Sequence, residues 1–243
     1  MAAQSRDLWE RLAAKRFAPG KGVTDPPPQD GWKRFFFILG THFWKMVQLN
    51  LLFLAFSIPI VTIPAAFCGM NRALIKLYRD GNCFVWEEFF KEFKANLFKA
   101  IPFGIIGGLC LFASYYFLSL GTSVSSDGVE IFSIAVGILL FVFAVLFANY
   151  SFVFLPTLDL KNKQIARNAF IFLITEWKTN LVILAVAAAT TLLSVLLFPY
   201  TLILLVFLSF SFMQYVICIA VNNPLQKRII GPYEERENDH VDL

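Results

Sequence analysis

Three stretches of this chain hold no charged residue at all: 100–126, 131–158 and 181–226. A helix crossing the hydrocarbon core of a bilayer needs about 20 apolar residues at 1.5 Å each, so each of the first two stretches suits one crossing. The third is too long for one, and Pro199 divides it into Leu181–Phe198 and Thr201–Val221. Composition agrees: 58% of residues are hydrophobic and 16% charged, with a mean hydropathy of +0.64. Soluble domains carry about 25% charged residues. The class is therefore an all-α polytopic membrane protein, and too little chain is left over for a large soluble core.

A fourth uncharged run, Met46 to Asn71, contains "SIPIVTIP". It is long enough for one tilted crossing, or for a hairpin that turns near Pro59 and Pro64. Charge bias separates the two. A single crossing scatters lysine and arginine over both faces, whereas a hairpin puts all 21 on one side. Short loops on the cytoplasmic side are enriched in these residues, so the expectation is a hairpin over about 43–79. Both termini then lie in the cytoplasm. Proline removes a backbone donor and disfavours helical geometry in the residue before it, which marks Ile58 and Ile63 as points where helix should stop. A kinked single helix is the alternative, and the depth of the turn stays open.

Spans are expected at about 100–120, 130–156, 181–198 and 201–221, giving about six membrane-embedded helices within a domain at 35–222. An amphipathic helix at 85–98 should lie on the cytoplasmic face, with Val85, Trp86, Phe89, Phe90, Phe93 and Leu97 on one side and Glu87, Glu88, Lys91 and Lys94 on the other. A second amphipathic segment runs from Gln164 to Trp177. "EFKANL" (92–97) and "EWKTNL" (176–181) echo one another, hinting at a parallel repeat. Trp9, Trp32, Trp44, Trp86 and Trp177 all fall on the same expected inner face, where indole rings favour the headgroup level. The tail at 1–34 is polar, lacks the apolar core of a signal peptide, and carries the extended "TDPPPQD". Leu8, Trp9, Leu12 and Phe17 form a weak apolar stripe there. The tail at 223–243 becomes acidic.

Motifs for chemistry are sparse. His42 and His240 are the only histidines and have no acidic cluster in sequence; Cys68, Cys83, Cys110 and Cys218 lack CxxC spacing. These cysteines read as small packing residues. No phosphate loop, nucleophile elbow or zinc-protease motif is present, so neither enzyme activity nor a cofactor or metal is expected, and nothing points to nucleic acid. The candidate intramembrane polar site is Asn50, Asn71, Arg72 and Asn149. If the turn lies near Pro59–Pro64, Asn50 and Arg72 would both sit roughly 12–14 Å from it, and an intramembrane arginine is a functional candidate by default. The alternative is a shallow hairpin whose Arg72 snorkels to the headgroups with Lys76 and Arg79. Trp86, Phe89, Phe90 and Phe93 form a candidate surface for docking a partner. Gly104 and Gly108 form a GxxxG in the third span.

The stretch "NLLFLAFSIPIVTIPAAFCGMNRALIKLYRDGN", with "FFKEFKANLFKA" after it, resembles the YesL family of small bacterial multi-pass membrane proteins. That resemblance covers about residues 35–110. It implies a bacterial plasma membrane and an association with carbohydrate uptake, notably sugar ABC importers, and it brings no catalytic residues. The expected function is accordingly a non-catalytic accessory or regulatory component, with the lipid bilayer and either importer subunits or a second copy of the chain as partners. A small-solute transporter is the alternative.

Overall fold

A computed structural model describes residues 31–123, 127–198, 200 and 205–232. The stripe at Leu8–Phe17, the proline linker, His240 and the acidic tail lie outside the described residues. The chain divides into two units, 1–37 and 38–243, and the helical bundle belongs to the second. Among the described residues every regular element is helical: α1 Gly31–Thr41, α2 Phe43–Phe56, α3 Ile63–Asp80, α4 Val85–Ser123, α5 Asp127–Phe154, α6 Asn162–Thr175, α7 Trp177–Leu196 and α8 Phe210–Leu225. A π-helical turn, Leu205–Ser209, leads into α8, and another, Gln226–Ile230, continues it. Among the described residues five helices are long and apolar enough to cross a membrane, or six if α1 and α2, broken at His42, count as one.

The chain does turn back at the prolines. The Ser57 N–H donates to the Leu54 carbonyl at 3.2 Å, and Ile60–Thr62 forms a single 3-10 turn. The Thr62 hydroxyl then bridges the bend, 2.5 Å from the Phe56 carbonyl and 2.7 Å from that of Pro59. Ile63 keeps helical angles (φ −50°, ψ −48°), contrary to the expectation from Pro64. Pro64 sits in the first turn of α3, where its missing N–H has no carbonyl to serve. At the other end of the hairpin, His42 Nε2 meets the Gly81 carbonyl at 2.7 Å and Lys45 Nζ donates to the Cys83 carbonyl at 3.1 Å. Both limbs therefore begin and end together.

The hairpin is also shorter than the helix it packs on. The helix α4 is one continuous element of 39 residues, so the segment 85–98 is not a separate interfacial helix. The outer half of α3 packs antiparallel along it, with Gly69 against the Phe89 backbone and Pro64 against Gly104. The tip residues Ile60 and Val61 line the same cleft as Gly104 to Leu111. From Leu111 the helix runs on to Ser123, about 18 Å further at 1.5 Å per residue. The α2–α3 hairpin thus enters beside α4 and stops short of its far end, the geometry of a re-entrant hairpin. Ile58, Ile60 and Val61 at its tip are exposed, which suits apolar surroundings.

Helices α4 and α5 pair closely because glycine alternates with branched side chains along their seam. A Cβ on Gly137 would fall 2.7 Å from Leu118, and one on Gly121 would fall 2.7 Å from Ile134. The same order of an amphipathic segment and two long helices recurs in α6–α7 and α8. Its echoed residues do different jobs, however. Phe93 is buried and Trp177 is exposed; Asn96 donates to the Glu92 carbonyl, while Asn180 donates to that of Leu173 and accepts from the Tyr150 hydroxyl at 2.7 Å. Trp44, Trp86 and Trp177, together with the charged residues of α3, α4 and α6, gather at one end of the bundle.

Candidate functional site

Polar side chains inside the bundle are placed where proline or an irregular turn leaves backbone groups unserved. Pro156 has no N–H to offer the Phe152 carbonyl four residues earlier, and Asn71 Nδ2 donates to that carbonyl at 3.0 Å. Asn71 Oδ1 in turn accepts from the Cys218 thiol at 3.4 Å. At the π-helical turn Asn50 does the same work: its Nδ2 donates to the Leu205 carbonyl at 3.0 Å and the Val206 carbonyl at 2.6 Å, and its Oδ1 accepts from the Ser211 N–H at 2.9 Å. Asn149 Nδ2 donates to the Val145 carbonyl at 2.8 Å, and its Oδ1 accepts from Gln214 Nε2 at 3.3 Å. Irregular backbone at membrane depth persists only where protein groups satisfy it. Asn71 and Asn50 meet that requirement.

Sequence reasoning placed the helix that receives them but missed its polar face. Ser211, Gln214, Cys218 and Asn222 fall at i, i+3, i+7 and i+11 of α8, and all are buried. That spacing is one face of a helix, legible in the sequence had the weakly polar residues been counted together. Asn71, Asn149 and Gln214 are thereby gathered along the α3–α5–α8 seam, while Asn50 braces its deeper end.

Arg72 does not join them. It follows Asn71 on α3 but faces a different wall, a pocket of about 290 Å³ shared with Glu92, Asn96, Lys99, Pro156 and Asp159. Its Nε is buried and makes no hydrogen bond. Arg72 lies level with the residues that follow α5, Leu155 to Leu160, in a pocket that Asn50 does not line. Acidic residues also share its pocket. Lys76 pairs with Glu88 instead.

Along the same three helices lies a larger apolar cleft of about 850 Å³. Its walls are α3, α4, α5, α7 and the start of α8, with Pro64, Phe67, Gly108, Ala148, Thr190 and Met213 among the lining residues. The glycines of the GxxxG part company here. A Cβ on Gly104 would overlap the Pro64 ring, whereas one on Gly108 would meet nothing within 4 Å. The first lets α3 approach; the second opens the cleft.

Of the four aromatic residues expected to dock a partner, Phe89 and Phe93 are buried against the chain itself, each about 5–6 Å between ring centroids from Phe56. Phe90 is half-buried and Trp86 is exposed. The connector before them is heavily braced. Gly81 takes the left-handed conformation (φ 74°) that ends α3, Lys45 also bonds Asn82, and Lys76 pairs with Glu88. The Cys83 thiol donates to the Ala73 carbonyl at 3.6 Å; burial raises its pKa above the usual range, so it acts as a packing group. Phe84 and Trp86 nonetheless stay 80% and 60% exposed.

The fold and interior define an all-α polytopic membrane protein whose buried amides serve its own backbone. A family model described as "Protein of unknown function, DUF624" matches residues 46–117, which covers most of α2, all of α3 and most of α4. No curated protein and no solved structure matches the chain.

Proposed function

We propose that this is a non-catalytic accessory or regulatory protein of a bacterial plasma membrane, working beside a carbohydrate uptake system with its charged end and both termini in the cytoplasm. The orientation rests on the positive-inside bias, and the uptake setting rests on the resemblance to the YesL family. The observation that carries the docking role is the braced connector. Side-chain and capping contacts fix residues 81–88, yet Phe84 and Trp86 project from it. Rigid aromatic side chains bind at low entropic cost and are favoured anchors in interfaces. A sugar importer subunit is the partner this reading names.

The test is co-purification from native membranes followed by mass spectrometry. Wild-type protein should bring down a transporter subunit in near-stoichiometric amount. The double variant Phe84→Ser, Trp86→Ser should lose it while melting unchanged, because both side chains are already exposed. Retention of the partner by that variant would count against the connector. Solute flux in liposomes by the purified protein alone would instead support the second reading, a small-solute transporter, for which the 850 Å³ cleft is the one favourable observation.

A further inference from the structure

The pocket at Arg72 is walled by charges that the rest of the protein leaves open. Glu92, Asn96 and Lys99 line it from α4, and their i, i+4, i+7 spacing puts them on one face of that helix. Arg72 joins them from α3, and the connector after α5 closes the third side with Thr157 and Asp159. The neutral groups are spent on the protein itself. Asn96 Nδ2 donates to the Glu92 carbonyl and to its carboxylate, both at 3.1 Å, and the Thr157 hydroxyl donates to the Val153 carbonyl at 2.6 Å. Among the described residues Arg72, Lys99 and Asp159 enter no ion pair, although they share one recess of about 290 Å³.

Of these three, Arg72 is the one drawn away from water: it is half-buried, and its Nε is buried without a hydrogen bond. A cation withdrawn from water and left unpaired is costly, so an oxyanion in the recess would offset that cost. Lys99 supplies a second positive charge, and arginine and lysine both suit phosphate. Glu92 and Asp159 line the same walls. Their carboxylates repel a bare anion, as the two cations repel a bare amine. A ligand that carries both signs matches all four groups. Lys99 and Asp159 are exposed, so the recess opens to water at the charged end of the bundle.

We propose that this recess binds a small aminoalkyl phosphate, with the phosphate at Arg72 and Lys99 and the protonated amine toward Glu92 and Asp159. That chemistry has two sources, a soluble molecule such as phosphoethanolamine and the headgroup of phosphatidylethanolamine. The site goes beyond the accessory role and does not depend on it.

Ligand-dependent melting of the full-length protein in a maltoside detergent tests it, because a ligand that binds only the folded state raises Tm with its concentration. Phosphoethanolamine should stabilise the wild type. Ethyl phosphate and ethanolamine, which each carry one sign, should do so only weakly. Arg72→Gln should raise the concentration required about tenfold or more, the usual worth of a hydrogen bond to a charged group. Lys99→Gln and Asp159→Asn alter exposed side chains, so both should melt normally without ligand. The first should weaken binding, and the second should narrow the preference for phosphoethanolamine over ethyl phosphate. A larger shift with dioleoyl phosphatidylethanolamine than with phosphoethanolamine at equal concentration would assign the site to the headgroup; the reverse order would assign it to the soluble molecule. Equal binding of ethyl phosphate and phosphoethanolamine by the wild type would overturn the role of Glu92 and Asp159. Unchanged binding in both Arg72→Gln and Lys99→Gln would overturn the phosphate site, and no response of the wild type to either amine-bearing phosphate would overturn the whole proposal.

Discussion

Replacing Asn50 with leucine should lower stability by about 2–4 kcal/mol, read as a fall in the detergent melting temperature. The side chain is fully buried and bonds two carbonyls and one N–H at the π-helical turn. Leucine is close in size and fills the space, so the loss isolates the hydrogen bonds. Single side-chain bonds in membrane helices contribute modestly, about 0.6 kcal/mol on average, because the freed groups often find other partners. Here three groups on one irregular turn lose their partner together, and neither lipid nor a regular helix can replace it. Asn149→Leu should be milder, since one of its bonds is to its own helix and the other is long, at 3.3 Å. Equal melting of the Asn50 variant and wild type would show that the turn does not depend on this amide.

The second large effect concerns glycine. Gly69→Ala would place a Cβ 2.7 Å from the Phe89 carbonyl oxygen, a backbone atom that cannot rotate away, and Gly104→Ala would drive one into the Pro64 ring. Each should cost about 1–3 kcal/mol, the range for overpacking a closed site, and the pair should separate the α2–α3 hairpin from α4. Gly108→Ala should be nearly silent. Although Gly104 and Gly108 belong to one GxxxG motif, they should therefore give opposite results in the same melting experiment. If all three alanine variants melt alike, the close approach of α3 to α4 is wrong.

Much of this was legible in the sequence, and the failures have physical causes. Uncharged runs located α4, α5, α7 and α8 because a bilayer imposes length and composition directly. The hairpin followed from two prolines and the charge bias. Its depth did not, because sequence gives distance along a helix but not where the neighbouring helix ends; the level of Arg72 stayed open for that reason. The continuity of α4 through 85–98 escaped because a change of polarity along a helix looks like a boundary. Pro102 does not end that helix, and Asn162 donates to the adjacent Lys99 carbonyl at 3.1 Å. The α8 stripe was missed because glutamine and serine were weighed singly, whereas Asn71 and Asn149 were noticed as amides. The partners of Asn71 and Asn50, carbonyls beside Pro156 and at the π-helical turn, required tertiary structure.

That the α2–α3 hairpin is re-entrant is the claim on which the level of Arg72 depends. A nitroxide at Val61→Cys, in protein with half-buried Cys110 replaced by alanine and reconstituted into bilayers, measures it directly. Val61 is 66% exposed at the hairpin tip, so the label should be tolerated; the other three cysteines are buried. The expected result is high collision with oxygen and almost none with a water-soluble nickel chelate, which places the tip inside the hydrocarbon. Ready access of the chelate to the label would put the tip at an aqueous face and contradict the re-entrant geometry.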